Sequence, residues 1–254
     1  FDCLVGSEMC IRDRYKKDFL SYYYNKETEW GNEVVVSYKW HDLPPGSGLL
    51  DLELGRESEL THYDWITDTT VHDGSAWAYM KNSKYKTTTD LVHYLIDNVS
   101  KNGYMLLNIG PKPDGTIPEE DKNLLEGIGN WLDVNGEAIF ETETWDQYGE
   151  GPTKMNEAGP FSDNRAKLIY TAKDFRFTTK DNFLYATALG WPSKDFTIES
   201  IYKLFNNEIE SVELLGSTDK VEWKHTRDGL HITRPDNKPC EHAYSFKITR
   251  KEYL

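Results

Sequence analysis

A strand–loop–helix unit at residues 104–135 limits the possible folds more than any other part of the sequence. "YMLLNIG" at 104–110 is an unbroken apolar run, and "PKPDGTIP" at 111–118 is rich in Pro and Gly. Residues 119–135 then repeat apolar side chains at helical spacing: Leu124, Leu125, Ile128, Trp131 and Leu132. Strands that are apolar throughout are typical of a parallel sheet covered by helices on both faces.

The preceding residues show the same alternation. "NEVVVSYKW" at 32–40 contains a β-branched run, and "LLDLELG" at 49–55 predicts a second short strand. A helix is predicted from Thr88 and Thr89, with apolar positions at helical spacing as far as Gly103. Residues 15–30 are helix-like. The pattern predicts an α/β domain whose functional residues lie on loops that follow strands.

The loop at 111–118 has a structural explanation. Thr116 and Glu119 have the spacing of a capping box, with Pro118 in the first helical turn. Asp114 precedes Gly115, a pair that turn chemistry explains. We therefore expect the loop to be structural and do not assign Asp114 a catalytic role.

The sequence changes character after about residue 145. Residues 149–164 are polar and rich in Gly and Pro, as in a linker or the rim of a hairpin. Short β-prone runs then recur at about ten-residue spacing, which predicts an antiparallel β-sandwich. These runs are "KLIYTA", "DFRFTT", "NFLYATALGW", "FTIESI", "SVELLGS", "VEWKHT", "GLHITR" and "AYSFKITR".

The first residues differ from the rest. "CLVGSEMCIRDR" at 3–14 has no amphipathic period and resembles translated adapter read-through, so we expect residues 1–14 to be non-native. Cys240 would then be the one native thiol, and no disulfide framework is predicted. Because the natural chain would begin further upstream, the sequence leaves the compartment open, and a secreted or periplasmic parent protein is compatible with it.

Charge and motif content exclude several function classes. The net charge of −14 disfavours nucleic acid and anionic membranes as partners. No apolar run has the roughly 20 residues of a membrane helix. The seven His residues show no metal-ligand spacing, and no phosphate-binding loop or nucleophile elbow is present. Among the polar groups, the 43 Asp and Glu residues remain as sources of chemistry.

Residues 99–145, "VSKNGYMLLNIGPKPDGTIPEEDKNLLEGIGNWLDVNGEAIFETETW", identify a family. They resemble the C-terminal part of the catalytic barrel of α-L-fucosidases of glycoside hydrolase family 29. The resemblance extends to "SYYYNK" at 21–26 and "SAWAY" at 75–79, and the predicted sandwich resembles the β-domain that follows the barrel. It covers about residues 15–254.

The resemblance implies a fold and an activity. We expect an incomplete (β/α)8-type barrel at 15–145 followed by a β-sandwich at 146–254. The parent protein is expected to be a retaining enzyme that releases terminal α-L-fucose from glycans, with no metal and no organic cofactor. As a fragment without the first barrel strands, the chain is expected to be inactive alone and poorly soluble.

The resemblance also implies two catalytic carboxyl groups. The family nucleophile is an Asp at a strand end upstream of the "SYYYNK" segment, and Asp2 is the candidate if Phe1-Asp2 is the last native trace of that strand end; otherwise the nucleophile is absent from the chain. Glu53 occupies the acid/base position of one family pattern. Flanking Leu52 and Leu54 would desolvate Glu53 and suit it to acid catalysis, whereas an edge-strand Glu would point to water. Asp64 and Asp68 are the alternatives.

Two further residues match substrate-binding positions of the family. Trp77 corresponds to an aromatic residue that packs on the apolar face of the sugar, and a core Trp is the alternative. Lys39 stands where many members have an Arg, and a Lys supplies a point charge instead of a bidentate fork. This difference keeps open a glycosidase of another sugar specificity. A non-catalytic carbohydrate-binding protein is the alternative from a different functional class.

Overall fold

The computed structural model describes residues 8–40, 42–74, 76–164 and 168–251, without the side chains of 8–12 and 164. These residues form two compact units that divide between Asp51 and Leu52.

The first unit consists of a helix and two parallel strands. Helix α1 spans Glu8–Trp30, and strands β1 (Ser37–Lys39) and β2 (Leu49–Asp51) pair in parallel, with Ser37 opposite Leu49. Both strands are shorter than predicted. Residues 34–36 precede β1, and Val35 is 62% exposed, so this β-branched run is not a buried strand. The helix-like segment predicted at 15–30 lies within α1.

The second unit begins with two parallel strands and two helices: β3 (Trp65–Thr70), α2 (Thr88–Ser100), β4 (Gly103–Asn108) and α3 (Glu119–Asn135). Strand β3 pairs with β4 in a continuous register from Trp65 opposite Gly103 to Thr70 opposite Asn108. The strand–loop–helix unit at 104–135 is confirmed. Strand β3 was missed in the sequence because its Thr and Asp residues interrupt the apolar run that marks a buried strand.

The two faces of the β3–β4 pair differ. On one face, Thr67 Oγ1 lies 3.0 Å from the hydroxyl of Tyr94 in α2, and Trp65 Nε1 donates to the carbonyl of Lys101 at 3.1 Å. Alternate residues of β4 lie on the opposite face. There Tyr104 is 53% exposed and Leu106 is 58% exposed, so the face away from α2 is largely uncovered among the described residues.

Both predicted helix starts need correction. Helix α2 is capped by Thr87, not by Thr88 or Thr89, and a complete capping box joins Thr87 to Asp90. Helix α3 has Pro118 at its N-cap and no side-chain cap hydrogen bond. The capping box predicted between Thr116 and Glu119 is therefore wrong, because the Thr116 hydroxyl donates instead to Asp114 at 2.7 Å. Asn135 ends α3, as predicted, and the short 3₁₀ helix Gly136–Ala138 follows.

The remaining strands form two antiparallel sheets. They are β5 (Glu143–Glu150), β6 (Phe175–Lys180), β7 (Phe183–Ala188), β8 (Phe196–Ile198), β9 (Ile209–Leu214), β10 (Trp223–Thr226), β11 (Gly229–Ile232) and β12 (Tyr244–Arg250). Within the described residues, one sheet has the order β5-β6-β7-β12-β9 and the other β10-β11-β8. Seven of the eight predicted runs contain a strand, whereas the described part of "KLIYTA" at 167–172 is irregular. The predicted boundary at 145/146 lies within β5.

Two hydrophobic clusters form the core of the second unit. One lies between the antiparallel sheets, and its fully buried members include Phe177, Ile198 and Phe246. The other joins α2 and α3 to the sandwich through Leu189 and Ala243. The predicted order of an α/β part and then an antiparallel β part is confirmed. No helix within the described ranges is both long and apolar enough to span a bilayer.

Candidate active site

Glu53 lies on a tight turn directly after strand β2. The segment 52–56, called here the Glu53 turn, is closed by a 3.0 Å hydrogen bond from Gly55 N to Leu52 O. Leu52 and Leu54 are buried, and Glu53 between them is half-buried. The strand predicted over 49–55 therefore ends before Glu53, which projects from a turn and not from an edge strand. Leu54 adopts a φ of 47°, a left-handed conformation that is uncommon for a bulky residue.

Hydrogen bonds fix the backbone of the Glu53 turn from several directions. Leu52 N and Leu54 N donate to carbonyls of β3, at 2.8 and 2.9 Å. Each of the five carbonyls of the turn accepts a hydrogen bond. Leu52 O accepts from Gly55 N and Thr67 Oγ1, Glu53 O from Phe161 N, and Leu54 O from Asp163 N. Gly55 O accepts from Tyr94 OH, and Arg56 O from Gly159 N. Saturated backbone bonding of this kind holds a loop in one conformation.

A buried ion cluster adjoins this turn. Asp97 of α2 is 0% exposed, and its carboxylate contacts Lys101 Nζ at 2.8 Å, Arg176 Nε at 2.6 Å and Arg56 Nη1 at 3.4 Å. Burial alone would raise the pKa of Asp97. The charges of Lys101, Arg176 and Arg56 outweigh burial and hold the pKa of this carboxyl well below its ordinary value. Asp97 thus remains ionised and links three separate segments of the chain.

Arg56 connects the ion cluster to the turn itself. Its Nε lies 3.1 Å from Asp163 Oδ1, and its guanidinium lies 4.3 Å from the centre of the Tyr94 ring. Burial lowers the pKa of Arg56, but the carboxylates of Asp163 and Asp97 raise it above its ordinary value. Arg56 therefore keeps its positive charge in a desolvated setting.

Trp77 lies in the long loop between β3 and α2. The side chain of Asn108, the last residue of β4, donates a 2.8 Å hydrogen bond to the carbonyl oxygen of Trp77. This bond places the Trp77 loop at the carboxyl end of the parallel strands, where loops carry the functional residues of α/β barrels. The indole is half-buried, so part of its surface is available to a ligand.

Lys39, in the first unit, already has an acidic neighbour. It is the last residue of β1 and pairs in register with Asp51 of β2. Lys39 Nζ lies 3.8 Å from Asp51 Oδ2. Asp2, the candidate nucleophile, lies outside the described residues.

The alternative carboxylates occupy different places. Asp64 is exposed and immediately precedes β3, at the amino end of the parallel strands. Asp68 lies within β3 and has one buried carboxylate oxygen. Asp114 is exposed and accepts hydrogen bonds from Thr116 N and Oγ1, the bonding that turn chemistry predicts. Glu53 is thus the candidate on a loop that follows a strand, as catalytic residues of barrels are.

No local sequence signal marks the residues that hold the Glu53 turn. Arg56, Asp97 and Asp163 are ordinary charged residues in the sequence, and their contacts cross separations of 41 and 107 positions. "ELGR" at 53–56 gives no sign that the Arg is buried. Across the described ranges, no group of three or more His, Cys, Asp or Glu residues is arranged to hold a metal ion.

Comparisons with known families match both parts of the chain. Residues 1–137 match the family model described as Alpha-L-fucosidase, and residues 167–249 match the Alpha-L-fucosidase C-terminal domain. The first match includes residues 1–14, for which a non-native origin remains a prediction.

Curated relatives agree over most of the chain. Tissue alpha-L-fucosidase of Rattus norvegicus is 28% identical over 247 residues, which are 92% of this chain and 48% of the relative. Plasma alpha-L-fucosidase of the same organism is 30% identical over 250 residues, or 91% of this chain and 49% of the relative. The chain spans about half the length of the curated relatives that it matches.

Solved structures share the fold. A structure named alpha-L-fucosidase superposes with a TM-score of 0.72 at 26% identity, covering 92% of this chain and 48% of that one. The Thermotoga maritima alpha-fucosidase in complex with fucose superposes with a TM-score of 0.66 at 27% identity, covering 92% of this chain and 48% of that one. These likenesses, with the parallel strands and antiparallel sheets, confirm the predicted fold class of barrel part plus β-sandwich. The chain belongs to the alpha-L-fucosidase family.

Proposed function

We propose that the full-length protein carrying this chain is a retaining glycoside hydrolase that releases terminal α-L-fucose from glycans. The observation that carries the proposal is the Glu53 turn, a loop with a fixed backbone that follows a strand and carries a half-buried Glu. Family membership and the solved relative that binds fucose support the choice of sugar. The expected partner is a fucosylated glycan or oligosaccharide.

In this mechanism Glu53 acts twice. The nucleophilic carboxylate forms a bond to the anomeric carbon while the glycosidic C–O bond breaks, and the Glu53 carboxyl gives its proton to the departing oxygen. The Glu53 carboxylate then takes a proton from water, whose oxygen attacks the anomeric carbon and releases the nucleophile. The two carboxyl groups of such an enzyme lie about 5–5.5 Å apart.

We assign the other roles from the family pattern. Asp2 is the proposed nucleophile, and Asp2→Gly in the full-length protein should abolish turnover. Added azide should then give a glycosyl azide of inverted configuration, because azide attacks the substrate directly from the vacated side. Trp77 is proposed to pack on the apolar face of the sugar, and Lys39 to bind a hydroxyl group. If Asp2→Gly retains full activity, the nucleophile is another residue.

A panel of aryl glycosides tests the function. The full-length protein should hydrolyse aryl α-L-fucoside, and NMR of the first product should show the α-anomer, because two displacements retain configuration. Preference for another glycoside would favour the second candidate, a glycosidase of different sugar specificity. Lys39 favours that candidate, because it stands where many family members have a bidentate Arg and its Nζ lies 3.8 Å from Asp51 Oδ2. A folded protein that binds fucose and hydrolyses no glycoside in the panel would indicate a carbohydrate-binding protein.

A further inference from the structure

The Glu53 turn rests against a segment about 100 residues further along the chain, residues 159–163. Three hydrogen bonds join the two backbones. Gly159 N donates to Arg56 O at 2.9 Å, Phe161 N to Glu53 O at 2.7 Å, and Asp163 N to Leu54 O at 3.1 Å. The carbonyl of Glu53 itself is therefore held by the 159–163 segment.

The two backbones touch without an intervening side chain. A Cβ atom added at Gly55 would lie 2.1 Å from the carbonyl oxygen of Gly159, far inside van der Waals contact. Because no side chain separates them, a shift of the 159–163 segment displaces the Glu53 turn directly. The segment is thus mechanically coupled to the residue assigned as acid/base.

Side chains lock the segment to the turn. Arg56 N donates to Ser162 Oγ at 3.1 Å, and Arg56 Nε lies 3.1 Å from Asp163 Oδ1. The Arg56 and Asp163 side chains are 7% and 11% exposed, so this ion pair is shielded from solvent and from salt. Removing one partner of a buried ion pair leaves the other charge buried without compensation, so the contact is sensitive to substitution of either residue.

We propose that Asp163 is a positioning residue: its ion pair with Arg56 holds the 159–163 segment against the Glu53 turn and so aims the Glu53 carboxyl at the glycosidic oxygen. The inference rests on the proposed function, because it requires Glu53 to be the acid/base. A general acid must lie within hydrogen-bond reach of the atom that it protonates. A misplacement of about 1 Å can cost about 100-fold in rate.

Leaving-group dependence tests the proposal. We would compare Asp163→Asn with wild type in the full-length protein, using aryl α-L-fucosides whose leaving phenols range from strongly to weakly acidic. A weakly acidic phenol needs protonation to depart, and a strongly acidic one does not. Asp163→Asn should lower kcat/KM about 10- to 100-fold for the weakly acidic phenol, and less than about threefold for the strongly acidic one.

Asp174→Asn is the matched control. Asp174 is fully buried, and it accepts hydrogen bonds from Thr153 N at 2.9 Å and Thr171 N at 2.7 Å, away from the Glu53 turn. Asp174→Asn should destabilise the fold and change kcat/KM by the same factor for all substrates. If Asp163→Asn shows the same uniform change as Asp174→Asn, the positioning role is contradicted.

Two more variants make every outcome decisive. Ser162→Ala removes only the oxygen that accepts from Arg56 N, and should give a smaller leaving-group effect in the same direction; it decides the matter if Asp163→Asn does not fold. Glu53→Ala separates the two proposals. A steep leaving-group dependence in Glu53→Ala, with none in Asp163→Asn and Ser162→Ala, overturns only the positioning role. If kcat/KM of Glu53→Ala does not depend steeply on the acidity of the leaving phenol, the acid/base assignment is wrong, and the positioning role is wrong with it.

Discussion

Arg176 Nε lies 2.6 Å from Asp97 Oδ1, and this ion pair joins strand β6 of the sandwich to helix α2 beside the parallel strands. The same carboxylate contacts Lys101, which directly follows α2, and Arg56 of the Glu53 turn. One buried acidic residue therefore ties a helix, a sandwich strand and the candidate active-site turn together. Through Asp97, strand β6 of the sandwich is connected to the Glu53 turn.

The first prediction concerns the stability that Asp97 provides. Asp97→Asn leaves three buried cations without their shared carboxylate, and should lower the free energy of unfolding of the full-length protein by about 3–5 kcal/mol. Urea unfolding followed by fluorescence measures the change. Asp133→Asn on the exposed side of α3 is the control and should stay within about 0.5 kcal/mol of wild type. Equal free energies of unfolding for the two variants would show that the ion cluster around Asp97 does not stabilise the fold.

The same residue predicts a pH dependence. The three cations hold the pKa of Asp97 well below its ordinary value. Below about pH 4 the unfolded chain binds a proton that the folded protein does not, so this stability is present above that pH and is lost as the pH falls. Between about pH 4 and pH 3, wild type should lose up to about 1.4 kcal/mol per pH unit more than Asp97→Asn. Parallel stability curves for the two proteins would contradict the assignment.

Substitution by Ala should have opposite effects on stability at Gly55 and at Gly129. Gly55→Ala would place a methyl group 2.1 Å from Gly159 O, so the Glu53 turn and the 159–163 segment must separate. We expect a lower melting temperature together with a loss of activity. Gly129→Ala in α3 meets no atom within 4 Å and should stabilise the protein by about 0.5–1 kcal/mol. A tolerated Gly55→Ala would show that the two backbones do not touch.

The uncovered face of the β3–β4 pair gives a prediction about the 254-residue chain expressed alone. Tyr104 and Leu106 are both more than half exposed on adjacent positions of that face. Exposed apolar patches promote association, so the chain should bind a hydrophobic dye and self-associate, and Leu106→Gln should reduce both. Ile169→Gln, at an exposed residue outside this face, is the control. A monomer with sharp unfolding and no dye binding would contradict the expectation.

The sequence predicted the elements whose side chains follow one strong period. Helix α2 and helix α3 were located because their buried faces repeat at helical spacing, and Gly136 marked the end of α3. Strand β3 does not show in the pattern because its buried positions include the polar residues Thr67 and Thr69, whose hydroxyl groups contact Tyr94 and Lys86. Glu53 was singled out by resemblance to a family pattern.

The contacts that hold the Glu53 turn could not be predicted from the sequence, for a different reason. Arg176 and Asp97 meet across 79 positions, and Phe161 reaches the Glu53 carbonyl through its backbone. Neither contact produces a local sequence pattern. A charged residue is expected to be solvated unless its partner is known, and a backbone hydrogen bond does not depend on residue type. Tertiary packing alone decides that these charges are buried.

The most direct test of the central claim is turnover of an aryl α-L-fucoside by Glu53→Ala in the full-length protein, with and without azide. The acid/base assignment predicts a variant that loses about 100-fold or more of its activity on a weakly acidic leaving phenol. With a strongly acidic phenol, azide should restore turnover and give a fucosyl azide of retained configuration, because azide attacks the glycosyl-enzyme intermediate. Activity equal to wild type on both substrates would contradict the role of Glu53.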